Sequence, residues 1–376
     1  MPLIYLIAGE QSGDALGARL MRAIIAACPD ATFAGIGGEA MREQGLISLL
    51  PMRDLALMGL LEVLPRLRLL RRHLQNTIAD ITARRPDVVV TIDSPGFTLR
   101  VLRAIAPLGL KRAHYVAPQV WAWREHRVKH YPGLWDSLLC LLPFEPAFFA
   151  GHGLPARFVG HPVLESGADR GDGTGFRARH AIPPEASVLT VMPGSRRTEV
   201  SRLLPTLGET LRLLPAGVVP VVPIAAPVAE AVRAGTQDWA VRPILITDPQ
   251  EKFDAFAASN AALTKSGTST LELGLAEVPM VVTYRVNPIT AWIVRRSVKV
   301  THASLLNLLA GTPVVPELLQ EDCTPAKLAA ALLVLLTDPG AARAQVAGYR
   351  PVMDSLRPAS GTPSGAAAAA VLALLD

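Results

Sequence analysis

Aromatic residues are scarce in this chain: five Trp, five Tyr and nine Phe make up 5% of its 376 residues. Nucleic-acid modules interleave aromatics with clustered charge, and no such pattern is present, so no nucleic-acid partner is expected. Cysteine is rarer still. Cys28, Cys140 and Cys323 are odd in number, far apart and lack metal-ligand spacing, which excludes a disulfide framework and suits a reducing cytosol. Charged residues are only 18% of the chain, yet no uninterrupted apolar run makes a membrane span. The uncharged stretch from Leu213 to Ala229 carries Pro215, Pro220, Pro223 and Pro227, which a spanning helix would not tolerate. No signal peptide is expected, because Leu3-Ile-Tyr-Leu-Ile7 is short, has no basic flank and runs straight into Gly9.

What the chain does have is apolar mass and arginine. Half of it is hydrophobic, with a mean hydropathy of +0.31. That surplus must fill a large core or be partly presented to something greasy. The net charge is +5, and arginine far outnumbers lysine. This balance suits anionic ligands or an anionic membrane surface. The length exceeds one ordinary core, so two domains are expected.

Continuous apolar segments followed by glycine-rich turns and helices repeat along the chain, the pattern of a parallel sheet covered on both faces. Strands are expected at Leu3–Ala8, Thr32–Ile36, Pro86–Asp93, Ala113–Pro118, Ser137–Leu142 and Ala156–Gly160. After a polar, Gly-rich stretch at 167–175, expected to be a linker, the pattern restarts with Val188–Met192, Val218–Ile224, Ile244–Thr247, Ala261–Leu263 and Pro279–Tyr284. The fold class is therefore α/β with two Rossmann-like halves and a cleft between them. The Ala-rich tail from about Pro363 is expected to be a helix.

Two turns in the second half have the composition of anion sites. Gly194-Ser195-Arg196 and Ser266-Gly267-Thr268 each follow a strand and enter a helix, leaving backbone N–H groups unpaired beside the positive helix end. An ordinary helix cap has the same composition. Together the two turns suggest a diphosphate cradle, with Arg196 adding a forked contact. Glu272, in the first turn after Thr268, is placed to accept hydrogen bonds from sugar hydroxyls. In the first half, Gly9-Glu10-Gln-Ser12-Gly13 opens the first helix, and Asp93 closes the clearest strand at the edge where such sheets bind ligands. Asp93 is the best base, although an Asx cap before Pro95 would explain it equally. His161 offers a contact near the linker, and Trp121 and Trp123 either pack or line a sugar or lipid pocket. Mixed Leu/Arg faces at 60–74 and at 292–299 suit a helix with one charged side or contact with an anionic leaflet.

Several motifs in order carry a resemblance: Ala8-Gly-Glu-Gln-Ser-Gly-Asp14, Met58-Gly-Leu-Leu-Glu-Val63, Ile92-Asp-Ser-Pro-Gly-Phe97, His114-Tyr-Val-Ala-Pro-Gln-Val-Trp-Ala-Trp-Arg124, Pro193-Gly-Ser-Arg196, Asn307-Leu-Leu-Ala-Gly311 and Pro316-Glu-Leu-Leu-Gln320. On them the chain resembles the bacterial lipid-A-disaccharide synthase family of GT-B glycosyltransferases over nearly its whole length. The resemblance implies transfer from UDP-2,3-diacylglucosamine to 2,3-diacylglucosamine 1-phosphate (lipid X). The products are a β(1→6) disaccharide 1-phosphate and UDP, formed with inversion. It assigns Asp93 as general base, Arg196 to the leaving phosphate, Asn307 to a polar substrate contact, and Glu272 to the uridine ribose. No metal or cofactor is implied: no Asp-x-Asp follows a strand, and helix ends with arginines can neutralise a diphosphate. It also implies an acceptor- and lipid-binding domain over 1–166, a UDP-sugar domain over 176–350, and a final helix at 351–376 returning to the first domain. The implied location is cytoplasmic, peripheral on the anionic inner membrane. The alternatives are a GT-B enzyme of UDP-N-acetylhexosamines, an epimerase included, and a non-catalytic nucleotide-sugar sensor that would have no use for Asp93.

Overall fold

The computed structural model describes residues 1–55, 67–287, 291 and 301–375. The chain divides into two compact units, Met1–Pro162 with Leu356–Asp376, and Val163–Ser355. Each is built on one six-stranded sheet whose strand pairings, among the described residues, are all parallel.

In the first unit the strands are β1 (Leu3–Ala8), β2 (Thr32–Ile36), β3 (Val88–Ile92), β4 (Lys111–Tyr115), β5 (Ser137–Cys140) and β6 (Ala156–Phe158), in the order β2-β1-β3-β4-β5-β6. β1 from Ile4 and the whole of β3 are buried, as continuous Val/Ile/Leu runs covered on both faces must be. The helix Gln11–Ala27 lays Leu16, Leu20 and Ile24, four apart, on the sheet. The helix Pro363–Leu372 packs beside it, with Ala367, Ala368, Ala370 and Val371 entering the same core. Its alanines pair poorly with solvent but allow close helix contact, which accounts for its composition.

The second unit carries β7 (Ser187–Met192), β8 (Val218–Pro223), β9 (Ile244–Ile246), β10 (Ala261–Lys265), β11 (Met280–Tyr284) and β12 (Glu317–Leu319), in the order β12-β11-β10-β7-β8-β9. β12 is a three-residue edge strand with no period for a sequence pattern to reveal. The stretch expected as a linker lies inside this unit. Asp172 caps the helix Gly173–Arg179 by accepting from the Gly175 N–H at 2.8 Å, and its own N–H donates to Asp254 at 2.8 Å. Gly171 and Gly173 sit where a Cβ would strike the backbone of Phe253 and Ala257, so these glycines serve close packing rather than flexibility.

Candidate active site

Parallel sheets bind ligands outside the carboxyl ends of strands where the strand order reverses. In the first unit that point lies between β1 and β3, neighbours through Ala8 and Ile92. Gly9 and Asp93 follow those two residues, so the sheet itself brings them together. A Cβ on Gly9 would stand 2.6 Å from Ser94 Oγ. Asp93 and Ser94 both adopt left-handed backbone, φ 50° and 47°, immediately before the helix Pro95–Ile105. Two such non-glycine residues in succession are costly and persist only where surrounding contacts impose them. Here the Asp93 N–H donates to the Tyr115 carbonyl at 2.8 Å, and Thr98 Oγ1 donates to the Asp93 carbonyl at 2.7 Å. Asp93 Oδ1 accepts from the Ser94 N–H at 2.7 Å, the Asx contact considered above, while Oδ2 has no partner among the described residues. Burial raises the Asp93 pKa above the usual carboxylate value, and the Ser94 N–H offsets part of that rise. One carboxylate oxygen makes a structural contact, and the other is left without one among the described residues.

Around this point the other expected residues separate. Glu10 is the N-cap of the first helix, and Ser12 is exposed in its first turn. Gly13 is buried, its would-be Cβ 3.5 Å from Ala8 and 3.6 Å from Ile92, so it spaces helix from sheet. The two tryptophans diverge because residues two apart on a helical turn face opposite ways. Trp121 donates Nε1–H to Glu145 at 3.1 Å and meets Phe144 edge-on, whereas Trp123 is 46% exposed. Glu145 also accepts from the Leu141 and Leu142 N–H groups, and burial pushes its pKa to about 7.

In the second unit the order reverses between β7 and β10, so the two anion-type turns are neighbours. They are not equivalent. After β7, Gly194 adopts φ 114°, and the Ser195 and Arg196 N–H groups each donate to Glu199 Oε2 at 3.3 Å. A carboxylate of the chain itself therefore occupies that turn, and the expectation that its N–H groups are open is corrected. Arg196 extends outward, its side chain 58% exposed, with Nη1 3.7 Å from Glu199. After β10, the N–H groups of Gly267, Thr268 and Ser269 have no partner among the described residues. Lys265, unassigned in the sequence, stands between the two turns with Nζ 3.6 Å from Glu199 Oε1 and its side chain largely buried. Glu272 is bound through both oxygens to Lys252 Nζ at 3.0 and 3.1 Å.

A family model described as lipid-A-disaccharide synthetase matches residues 4–371. The chain belongs to that family. A lipid-A-disaccharide synthase of Granulibacter bethesdensis is 58% identical over 388 residues, spanning all of this chain and 99% of that protein. One of Gluconobacter oxydans is 56% identical over 377 residues, spanning 100% and 91%. Among solved structures, the glycotransferase of kitacinnamycin superposes with a TM-score of 0.66 at 19% identity over the full length of both chains, a likeness of fold. The chain is thus a glycosyltransferase of the lipid-A-disaccharide synthetase family with a GT-B architecture.

Within that family assignment, two expected ligand contacts are not offered. Asn307 is 1% exposed, and its four hydrogen-bonding positions are all used. Nδ2 donates to the Val315 carbonyl and to Glu317, and Oδ1 accepts from the Val314 and Val315 N–H groups, all at 2.8–2.9 Å. Asn307 folds the loop that precedes β12 instead of touching a substrate. Glu317 gathers this loop: it accepts from the Ala303 and Ser304 N–H groups, Ser304 Oγ and Asn307, while Ser266 Oγ donates to the Ala303 carbonyl. Among the described residues, hydrogen bonds link Asn307 to the Ser266 turn through Glu317 and residues 303–304. His161 is likewise buried, its N–H donating to the Leu356 carbonyl at 2.9 Å, and desolvation lowers its pKa to about 4. Its backbone anchors the returning chain, while burial keeps the imidazole neutral. The motif at 58–63 and the Leu/Arg segment at 292–299 lie outside the described residues, as does the 60–66 part of the other one.

Proposed function

We propose that the enzyme transfers the 2,3-diacylglucosaminyl group of its UDP derivative to the 6-hydroxyl of 2,3-diacylglucosamine 1-phosphate, inverting the anomeric carbon. The observation that carries the mechanism is Asp93: a strained strand-end carboxylate with a raised pKa at the switch point of the first unit, one oxygen of which has no partner among the described residues. Asp93 takes the proton of the acceptor hydroxyl, that oxygen attacks the anomeric carbon, and the bond to the diphosphate breaks, releasing UDP. Charge developing on UDP is met in the second unit by Lys265, the Arg196 guanidinium and the open N–H groups of Gly267, Thr268 and Ser269. Glu272 accepts from the ribose hydroxyls while Lys252 holds it in place. Gly9, Glu10 and Ser12 line the acceptor side, so residues 1–166 with the final helix serve the acceptor and 176–350 the donor.

Among the described residues no single helix is long and apolar enough to cross a membrane. We place the enzyme at the cytoplasmic face of the inner membrane as a peripheral protein, supported by its basic balance, its hydropathy and the exposed Leu67 beside Arg68, Arg71 and Arg72. The test is a labelled transfer assay with both acylated sugars. Wild type yields disaccharide and UDP in equal amounts, and UDP-N-acetylglucosamine does not replace the donor. No disaccharide from wild type, or equal use of the unacylated donor, refutes the assignment.

A further inference from the structure

Beside the Asp93 loop the first unit holds a cavity of about 660 Å³ whose lining has an unusual charge. Four arginines, Arg100, Arg103, Arg124 and Arg127, and two histidines face it, and among the described residues no carboxylate does. None of the four has an ion-pair partner among the described residues, although the chain pairs arginines elsewhere, as at Arg84–Asp80 and Arg350–Glu277. Uncompensated guanidiniums gathered around one space repel one another and are held only by the fold. Partial desolvation and the nearby Arg127 charge both lower the Arg124 pKa.

Two segments build the cavity. The helix Pro95–Ile105 begins two residues after Asp93 and presents Gly96, Arg100 and Arg103 as one stripe at i, i+4, i+7. The Val120–Trp123 turn and the 3-10 segment Glu125–His130 supply the facing wall. Arg103 Nη2 ties the walls by donating to the His130 carbonyl at 3.1 Å, and the Arg124 guanidinium lies 3.6 Å over the Trp123 ring. That stacking fixes the fork and leaves its N–H edge for a ligand. Leu99 and Val120 give the floor an apolar surface.

Resting on the transfer proposed above, we propose that this cavity is the subsite for the anomeric phosphate monoester of the acceptor, with Trp123 against its sugar ring. A phosphate monoester is the ligand that matches: a compact dianion with three oxygens meets several forks at once, and the first turn of the helix adds its dipole. The acceptor carries such a group one hexose away from the hydroxyl that must reach Asp93. Arg100 and Arg127 thus become specificity residues, and the requirement for a phosphorylated acceptor is written in the first unit.

The test compares wild type, the Arg100→Ala/Arg127→Ala double variant and the Arg100→Lys/Arg127→Lys pair in detergent micelles, using the phosphorylated acceptor and the same acceptor with the phosphate removed. Both side chains are exposed and their charges repel, so neither variant should lower the melting temperature. For the alanine pair, KM for the phosphorylated acceptor should rise roughly ten- to hundredfold, with donor KM unchanged and rates on the phosphate-free acceptor matching wild type. The lysine pair should recover part of the loss. Equilibrium binding of the phosphorylated acceptor without donor, read by tryptophan fluorescence, should weaken in parallel and tests the cavity even if no disaccharide forms. An unchanged KM and affinity, an equal loss on both acceptors, or a loss seen only on anionic phospholipid vesicles overturns the subsite; the last result would make the cluster a membrane contact. Inactivity of wild type in transfer, with phosphate-dependent binding intact, counts against the transfer reading alone.

Discussion

Replacing Asp93 by Asn removes the proposed proton acceptor while preserving most of what shapes the loop. Asparagine tolerates the left-handed backbone at φ 50°, and its carbonyl oxygen can still accept from the Ser94 N–H. The bonds made by the Asp93 backbone, to Tyr115 and from Thr98, do not involve the side chain. General-base catalysis contributes typically 10²- to 10⁴-fold, about 3–5 kcal/mol of barrier. Initial rates of transfer for Asp93→Asn should therefore fall by that factor in kcat, with both KM values within a few-fold of wild type. The pH profile adds a second constraint. Burial raises the Asp93 pKa, and a base works only when deprotonated, so wild-type kcat/KM should fall as pH drops through a value above the ordinary aspartate range. That limb should vanish in the variant. Stability should move the other way: a carboxyl whose folded pKa is raised favours the folded state only below its unfolded pKa. At neutral pH its removal is therefore neutral or stabilising. A variant that keeps wild-type kcat, or one that loses activity together with its melting temperature, refutes the assignment of Asp93 as the base.

Gly9→Ala puts a methyl 2.6 Å from Ser94 Oγ, so the Asp93 loop must shift; crystals of the variant should show that displacement, and denaturant unfolding a loss of roughly 1–3 kcal/mol. Lys265→Met should raise the Kd of UDP roughly ten- to hundredfold by calorimetry while leaving acceptor binding alone. Asn307→Ala strands the Val314 and Val315 N–H groups in a buried loop and should cost roughly 2–4 kcal/mol of stability, with weaker UDP binding as a consequence of a loosened Ser266 turn. Desolvation holds His114 at about 3 and His161 at about 4, so below pH 6.5 the unfolded chain takes up protons that the folded chain refuses. Melting temperature should accordingly fall from pH 6.5 toward 4, and His161→Gln should flatten part of that slope.

Much of the architecture was legible because parallel strands buried on both faces must be continuous apolar runs; β1 and β3 stand out for that reason alone. β12 did not, since three edge residues carry no period. Asp93 was legible as a strand-end carboxylate, and the order of the strands, which no local pattern reveals, is what sets it beside Gly9. Glu199 had a local signal, a Glu at the third helical position after the Arg196 turn, the spacing of a capping box. Asn307 misled because its saturation depends on residues 7–10 positions further on and on their fold. The arginine cavity was invisible because each of its walls alone resembles an ordinary solvated helix face.

The product formed by wild type from the two acylated sugars bears most directly on the central claim, with its anomeric configuration read by NMR. A single displacement supported by one base predicts a β(1→6) linkage and one UDP released per disaccharide. An α linkage, or UDP released without disaccharide, would contradict it.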